Sequence, residues 1–397
     1  MRVLTDAGVE QRRWGGAGRD GGSIHCLGNG LVCAYGQGPE LVQFFGPPYS
    51  SPSFFRLEVP SPCAEESVSV REPGAAVWHH GIAADGSAVA VFTDFVPPDL
   101  PCLVRSMECS GEQTLRLRFE PGVTVVENTA RFGPGQGAAL LAWIEAGAFL
   151  YGNYPTKTRQ YLQVLFTGPV ACLCSGSGEY RITIPRGKCA ALFCAGPDYP
   201  GAILSAELAL RRGADDLLAS ARRWWLDFTG GRKDFDALIP AAYPHKGRLL
   251  RLIDSVSVLI RAQQGREGGV LAGHNYHLGY VRDQYGVSRC LLALGYHGQA
   301  RAILSFYWDV WQKHGRLHNA QGVGADVFHI HENDDVEITG YLILQAFDYL
   351  RETGDGEFLA AIWPMLKWAF EAQAGHLAGG MLPFNGDETF VAGGILP

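Results

Sequence analysis

Up to about residue 200, apolar and polar positions alternate with a period of two, and glycine and proline interrupt the alternation at short intervals. This pattern is typical of short, half-buried strands joined by turns. Because no helical pattern separates the strands, it predicts an antiparallel β-sandwich over residues 1–200. The clearest strand segments are Ser87–Val96, Cys102–Cys109, Thr114–Phe119, Tyr161–Phe166, Tyr180–Ile184 and Cys189–Cys194.

After residue 200 the apolar residues recur with the period of a helix. Asp215–Phe228 predicts one helix inside a linker over residues 201–244. Residues 245–397 keep the helical period, and the helices are apolar around much of their circumference, which favours a toroid of paired helices. The predicted fold class is therefore multidomain β plus α. The segments predicted to be helical beyond residue 245 are Leu249–Ile260, Gln284–Leu294, His297–His314, Val336–Glu352 and Glu357–Ala372.

The composition is that of a soluble globular protein, with 47% hydrophobic and 18% charged residues among 397. No apolar run approaches the ~20 residues of a membrane helix, so no membrane association is expected. The charged residues near the amino terminus have no apolar segment behind them, which argues against a secretory signal and favours the cytoplasm. The net charge of −7 argues against nucleic acid as a partner, because phosphate binding requires a basic surface.

Ten cysteines are scattered along the chain. Neither Cys172 with Cys174 nor Cys189 with Cys194 has the spacing of a zinc ribbon or a thioredoxin motif. We therefore expect reduced thiols that pack as small hydrophobic residues, with no disulfide framework, no metal and no cofactor.

A polar and aromatic cluster stands at the start of the second helix predicted beyond residue 245. Asp283 is placed to cap that helix, an effect worth about 1 kcal/mol. Arg282 lies beside it, and Tyr276, Tyr280 and Tyr285 surround the pair. A guanidinium and a carboxylate offer directional hydrogen bonds to adjacent hydroxyls, while aromatic faces pack on sugar C–H surfaces. Besides capping, the cluster fits a saccharide subsite at Tyr280, Arg282 and Asp283.

A second polar run contains His329, His331, Glu332, Asn333, Asp334, Asp335 and Glu337. Its His-x-His-Glu string can indicate a metal site, but it lacks the i, i+4 histidine spacing of a helical zinc site and a clear third ligand. Carboxylates at a helix amino terminus are also favoured by the helix dipole alone. The remaining interpretation is hydroxyl binding in a pocket, with Asp334 and Asp335 as the better candidates.

Asp387 and Glu388 lie on a loop between Gly386 and Gly393. A general acid for glycoside cleavage needs a carboxyl whose pKa is raised by burial or by a neighbouring negative charge, and paired acids in a pocket offer both. The alternative is a solvated turn with ordinary acids.

The helical half resembles the glucoamylase-like enzymes of glycoside hydrolase family 15 and the related six-hairpin glycosidases. The resemblance covers about residues 245–397 and implies an (α/α)6 toroid, of which the chain holds an incomplete part. The strand-rich front half looks like the sandwich that precedes the toroid in bacterial members. The residues that carry the resemblance are Tyr280, Arg282 and Asp283 before a helix, then Ala346–Gly354 with Ile362, Trp363, Pro364 and Leu366, and the acidic pair Asp387 and Glu388.

The resemblance implies an inverting, exo-acting hydrolase of α-glucosidic oligosaccharides. Arg282 and Asp283 would hold the non-reducing terminal sugar, and Glu388 would be the general acid, with Asp387 as the second choice. A second carboxylate would activate water on the opposite face, at roughly 6.5–9.5 Å from the acid. In the family that base lies late in the toroid. Since about five helices are predicted where the toroid has twelve, we expect a chain truncated before its base and inactive alone.

Two other functions remain open from the sequence. Inverting disaccharide phosphorylases share the predicted architecture, and His331, Glu332 and Asn333 are similar to a segment of the maltose phosphorylase family. A glycan-binding relative without catalysis would also retain the saccharide subsite. An oligosaccharide is the expected partner in each case, and the oligomeric state is left open.

Overall fold

The alternating segments of the first half form antiparallel strands in the computed structural model. The structure describes residues 24–60, 67–84, 87–133, 136–150, 154–176, 178–274, 276–330 and 334–382. The strands before the first helix are β1 Ile24–Gly28, β2 Cys33–Gln37, β3 Glu40–Phe45, β4 Phe55–Glu58, β5 Val68–Arg71, β6 Trp78–Ala84, β7 Ser87–Phe95, β8 Cys102–Cys109, β9 Gln113–Phe119, β10 Val123–Glu127, β11 Gln136–Ile144, β12 Phe149–Leu150, β13 Tyr154–Pro155, β14 Gln160–Thr167, β15 Ala171–Gly176, β16 Glu179–Ile184 and β17 Gly187–Gly196.

Most of these strands belong to two large sheets. One has the order β1-β2-β3-β4-β9-β16-β15 and the other the order β10-β11-β14-β17-β8-β7-β6-β5. The sheets pack face to face, since the ring of Phe55 on β4 stacks on Phe193 of β17 with centroids 4.6 Å apart. Both rings are fully buried. The antiparallel, β-rich character predicted for this region is confirmed.

Helices follow the strands. Each helix predicted from the apolar period is present. His297–His314 has the predicted limits, and the others have one or both ends shifted by a few residues. No helix in the described part of the chain is long and apolar enough to cross a membrane. The helices are α1 Tyr199–Arg212, α2 Ala214–Gly230, α3 Phe235–Leu238, α4 Lys246–Gln263, α5 Val281–Leu294, α6 His297–His314, α7 Asp334–Thr353 and α8 Gly356–Gly375.

The chain divides into two compact units, and the first joins the sandwich with α1 to α4. It holds the described residues up to Leu150, then Pro155–Gly230 and Asp234–Gln263. Within it, α4 packs on β1 because the backbone of Gly28 approaches the Ala262 carbonyl closely. A Cβ at Gly28 would lie 2.1 Å from that oxygen, so only glycine fits there.

The second unit holds Tyr154, Gly231–Lys233 and the described residues from Gln264 onward. Helices α5 and α7 pack against each other, α6 packs against α5, and α8 packs against α7. The predicted helical character of this half is confirmed, while closure into a toroid stays a prediction. A small antiparallel sheet accompanies the helices, formed by β18 Gly279–Tyr280, β19 Ala320–Gln321 and β20 Phe328–His329.

Candidate functional site

Strand β18 leads directly into α5 and presents the first group of predicted site residues. Tyr280 is the last residue before the helix, and Arg282 and Asp283 lie in its first turn. The segment is fixed by Gln284, whose side chain is fully buried and accepts a hydrogen bond of 2.9 Å from the Val270 N–H. This tight packing leaves no room for a side chain at the preceding glycine of β18, where a Cβ would lie 2.6 Å from the Gln284 amide nitrogen.

Arg282 connects the first turns of α5 and α7. Its Nη1 donates to Glu337 Oε1 at 2.8 Å, and the Glu337 side chain is the more buried of the two. An ion pair that is partly shielded from water orients a guanidinium better than a fully solvated one. Glu337 belongs to the second polar run of the sequence, but its pairing with Arg282 depends on how the two helices pack.

Asp283 is exposed at the start of α5, yet partial burial of its carboxyl raises its pKa, and the adjacent Arg282 opposes that rise. The N-cap position of α5 is occupied by Tyr280, which makes no side-chain capping hydrogen bond, so Asp283 lies in the first turn and not at the cap predicted for it. On α6, burial raises the pKa of the Tyr307 hydroxyl, and the charge of Asp283 adds to the effect. The start of α5 is therefore electrostatically coupled to a buried phenol of α6.

Asp334 contacts the loop that precedes β19 through both carboxylate oxygens. One carboxylate oxygen accepts from the Asn319 backbone N–H at 2.7 Å, and the other lies 2.9 Å from His318 Nδ1. Only 3% of the residue is exposed. Its geometry fits a residue that fixes the small sheet beside Tyr280.

Asp335, the next residue, faces solvent. Its Oδ1 accepts from Arg316 Nη2 at 3.0 Å, and both side chains are substantially exposed. The hydroxyl binding predicted for Asp334 and Asp335 stays a prediction, and of the two Asp335 is the more accessible.

Aromatic rings gather around β18. Tyr280 is buried, and its ring stands nearly perpendicular to that of Tyr276 with centroids 6.1 Å apart. The ring of His329 on β20 lies 5.9 Å from Tyr280 on a tilted plane. Tyr276 is 57% exposed, which leaves an aromatic surface of the kind that packs on sugar rings.

The structure thus brings Tyr280, Arg282 and Asp283 together with Glu337 and the start of α7. The predicted general acid and its second choice, Glu388 and Asp387, lie outside the described residues, as do His331, Glu332 and Asn333. Sequence reasoning missed Glu337, and it also left out Tyr276 and His329 as site residues. All three lie within the polar or aromatic runs of the sequence, and this location is the sequence feature that could have identified them.

No protein-family model matches the sequence, and no curated protein matches it. Among solved structures, the chain is similar to a bacterial glucoamylase complexed with acarbose, with a TM-score of 0.56 and 12% identity over 88% of this chain. The fold is similar to that of a glucoamylase. The chain spans 59% of the length of that glucoamylase. A putative kojibiose phosphorylase from the human microbiome matches with a TM-score of 0.47 and 7% identity, over 84% of this chain and 54% of that one.

The similarity in fold agrees with the predicted order of a β-rich region followed by a helical region. An identity this low shows the fold alone. The roles of individual residues therefore depend on the geometry of the site in this chain.

Proposed function

We propose that the start of α5, together with the first turn of α7, binds the terminal sugar of an α-glucosidic oligosaccharide in an enzyme that breaks the glycosidic bond. The observation that carries this proposal is the Arg282–Glu337 pair beside Asp283 and Tyr280. The setting supports it, because the chain has a fold similar to a glucoamylase that was solved with acarbose.

The binding chemistry follows from the arrangement of the groups. Glu337 holds the Arg282 guanidinium in place, so less side-chain freedom is lost when a sugar hydroxyl binds. Asp283 supplies a carboxylate acceptor at the helix start, where the positive end of the dipole favours negative charge. Tyr276 supplies an exposed aromatic face for the C–H surface of the sugar, and the buried ring of Tyr280 packs against it.

For bond cleavage we propose Glu388 as the general acid, with Asp387 as the second choice. The acid would transfer its proton to the glycosidic oxygen while water attacks the anomeric carbon from the opposite face. A second carboxylate would take the proton from that water, which gives inversion at the anomeric carbon. That base is not assigned to a residue of this chain.

Calorimetric titration of the 397-residue chain with acarbose and with a maltooligosaccharide tests the sugar site. We expect measurable binding that Arg282→Ala weakens about tenfold or more, which corresponds to the loss of roughly one charge-assisted hydrogen bond. Arg289→Ala is the matched control, because Arg289 lies on the same helix with 65% of its side chain exposed. Equal affinities for the wild type and Arg282→Ala, with both folded by circular dichroism, would contradict the proposal.

An activity assay on the natural protein that carries this chain tests the reaction. We expect sugar release from a maltooligosaccharide to be independent of inorganic phosphate. Glu388→Gln should lower turnover by about a thousandfold while sugar binding is retained, because only the proton donor is removed. Formation of a sugar 1-phosphate that requires phosphate would instead identify a phosphorylase, and binding without turnover would identify a glycan-binding protein.

A further inference from the structure

A second polar cluster lies inside the sandwich, in the first unit. His25 on β1, His80 on β6 and Asp94 on β7 converge between the two sheets. Their exposed fractions are 4%, 0% and 0%, and one donor atom from each lies within 4.8 Å of the others. Buried nitrogen and oxygen atoms in an apolar core need partners, so this cluster requires an explanation.

One pair in the cluster has the spacing of two ligands on one metal ion. His80 Nε2 lies 3.3 Å from Asp94 Oδ2, but the pair does not meet hydrogen-bond geometry. Two ligand atoms that stand about 2.0–2.1 Å from a tetrahedral zinc ion are separated by roughly 3.3 Å.

Each of these two side chains is oriented by a further hydrogen-bond partner, as metal ligands usually are. His80 Nδ1 lies 2.7 Å from the Ser69 hydroxyl, which leaves Nε2 directed at Asp94. Asp94 accepts two hydrogen bonds from Arg105, at 2.7 Å from Nε and at 2.6 Å from Nη2.

His25 supplies an independent observation. Neither of its ring nitrogens has a hydrogen-bond partner among the described residues. The ring stacks on Trp78 with centroids 4.2 Å apart, and a Cβ at Gly36 would lie 2.3 Å from its Nε2. The fold thus makes room for an imidazole, although each buried and unsatisfied polar group costs roughly 1–3 kcal/mol without a partner.

We propose that His25, His80 and Asp94 form a binding site for a divalent transition metal ion of the zinc class. The two imidazole donors suit zinc, copper or nickel, whereas calcium and magnesium prefer sites made of oxygen donors alone. The donor atoms stand up to 4.8 Å apart, so the widest separation must shorten by up to about 1.5 Å around a tetrahedral ion. Because the ligands come from both sheets, a bound metal would connect the sheets and stabilise the sandwich.

The charges around the site set the conditions for binding. Two imidazoles and one carboxylate line the cluster, and the carboxylate of Asp94 is paired with the buried guanidinium of Arg105. The positive charge of Arg105 repels a dication, so we expect binding weaker than at a zinc finger and an anion such as hydroxide as a further ligand.

This site departs from the expectation of no metal drawn from the sequence. His25, His80 and Asp94 are separated by 55 and 14 positions, so no spacing motif marks them. Only the pairing of β6 with β7 and the packing of β1 over them bring the ligands together.

The test uses the full chain incubated with Co²⁺ or Zn²⁺ and then freed of unbound metal. We expect one ion per chain, visible absorption bands of low-coordinate Co²⁺ without the near-ultraviolet band of a thiolate ligand, and a rise in Tm of about 3 °C or more with Zn²⁺. The nine cysteines in the described residues are free thiols that could also bind Co²⁺. The absence of a thiolate band therefore separates binding at the histidine cluster from binding at cysteines.

His25→Phe should abolish both the bound ion and the rise in Tm, since it removes both nitrogens but keeps a ring for Trp78 to stack on. His245→Phe is the control at an exposed position. Should His25→Phe not fold, His80→Asn serves as the second variant. The proposal is overturned if the wild type retains no ion, if the cobalt spectrum shows thiolate ligands, or if His25→Phe retains as much metal as the wild type.

Discussion

Asp334 and Asp335 are adjacent in sequence, yet their carboxylates have different surroundings. Asp334 satisfies the buried N–H of Asn319 and contacts His318, whereas Asp335 pairs with Arg316 in solvent. Asp334→Ala should lower the free energy of unfolding by about 2 kcal/mol, because it removes a buried charge-assisted hydrogen bond to the Asn319 N–H. Asp335→Ala should lower the free energy of unfolding by less than about 0.5 kcal/mol, because its ion pair is more exposed to solvent. Urea denaturation measures both values, and equal losses would contradict the positioning role of Asp334.

Glu72 makes the stability of the first unit sensitive to acid. Burial alone would raise its pKa, but hydrogen bonds from His79 and Arg222 outweigh burial and lower the pKa from 4.5 to about 2. A carboxylate with a lowered pKa stabilises the folded state fully above the unfolded value, and this contribution is lost as the pH falls from about 4.5 to about 2.

Glu72→Gln should therefore reduce the free energy of unfolding at pH 7 by on the order of 1–2 kcal/mol. The lowered pKa of Glu72 alone would correspond to a larger stabilisation, but Arg222 is about half exposed, so solvent screens part of its interaction with Glu72. The difference from the wild type should shrink as the pH falls toward 2. Glu112→Gln, at an exposed position, is the control and should have little effect at either pH. A constant difference at all pH values would show that the ion pair is not its source.

At the scale of elements, local signals determine where several helices begin. Asp355 caps α8, because its Oδ1 accepts from the Phe358 N–H at 3.1 Å while Oδ2 accepts from the Tyr349 hydroxyl at 2.8 Å. Asp355→Ala should lower the free energy of unfolding by about 1 kcal/mol. Asp355→Asn should keep the free energy of unfolding close to that of the wild type, because asparagine also caps helices. Thermal unfolding of both variants checks this, and equal destabilisation by the two would rule out capping as the cause.

The same local signals explain which elements the sequence predicts. The period of α6 is so regular that its predicted limits, His297–His314, are those observed. Helix α1 was not predicted, because it begins at the boundary placed near residue 200 and has Pro200 and Gly201 in its first turn, although Asp198 caps it by accepting from the Gly201 N–H. Strands β1 to β3 were not assigned individually either. They are short and interrupted by glycine, so their pairing depends on the neighbouring strands more than on their own residues.

At the scale of the whole molecule, the sequence shows which segments are rich in polar and aromatic residues but not which side chains meet. Tyr280, Arg282 and Asp283 stand out because polar and aromatic residues cluster before an apolar helix. The contact of Arg282 with Glu337 spans 55 positions and depends on the packing of α5 against α7. The histidine cluster in the sandwich has no local signal at all, because each ligand comes from a different strand.

The central claim is that Arg282 and Asp283, at the start of α5, hold the terminal sugar of an oligosaccharide. A crystal structure of the chain with bound acarbose tests it most directly. We expect a sugar ring within hydrogen-bond distance of the Arg282 guanidinium and the Asp283 carboxylate, with one face against Tyr276 or Tyr280. Acarbose bound on a different surface, with the start of α5 in contact with solvent alone, would contradict the claim.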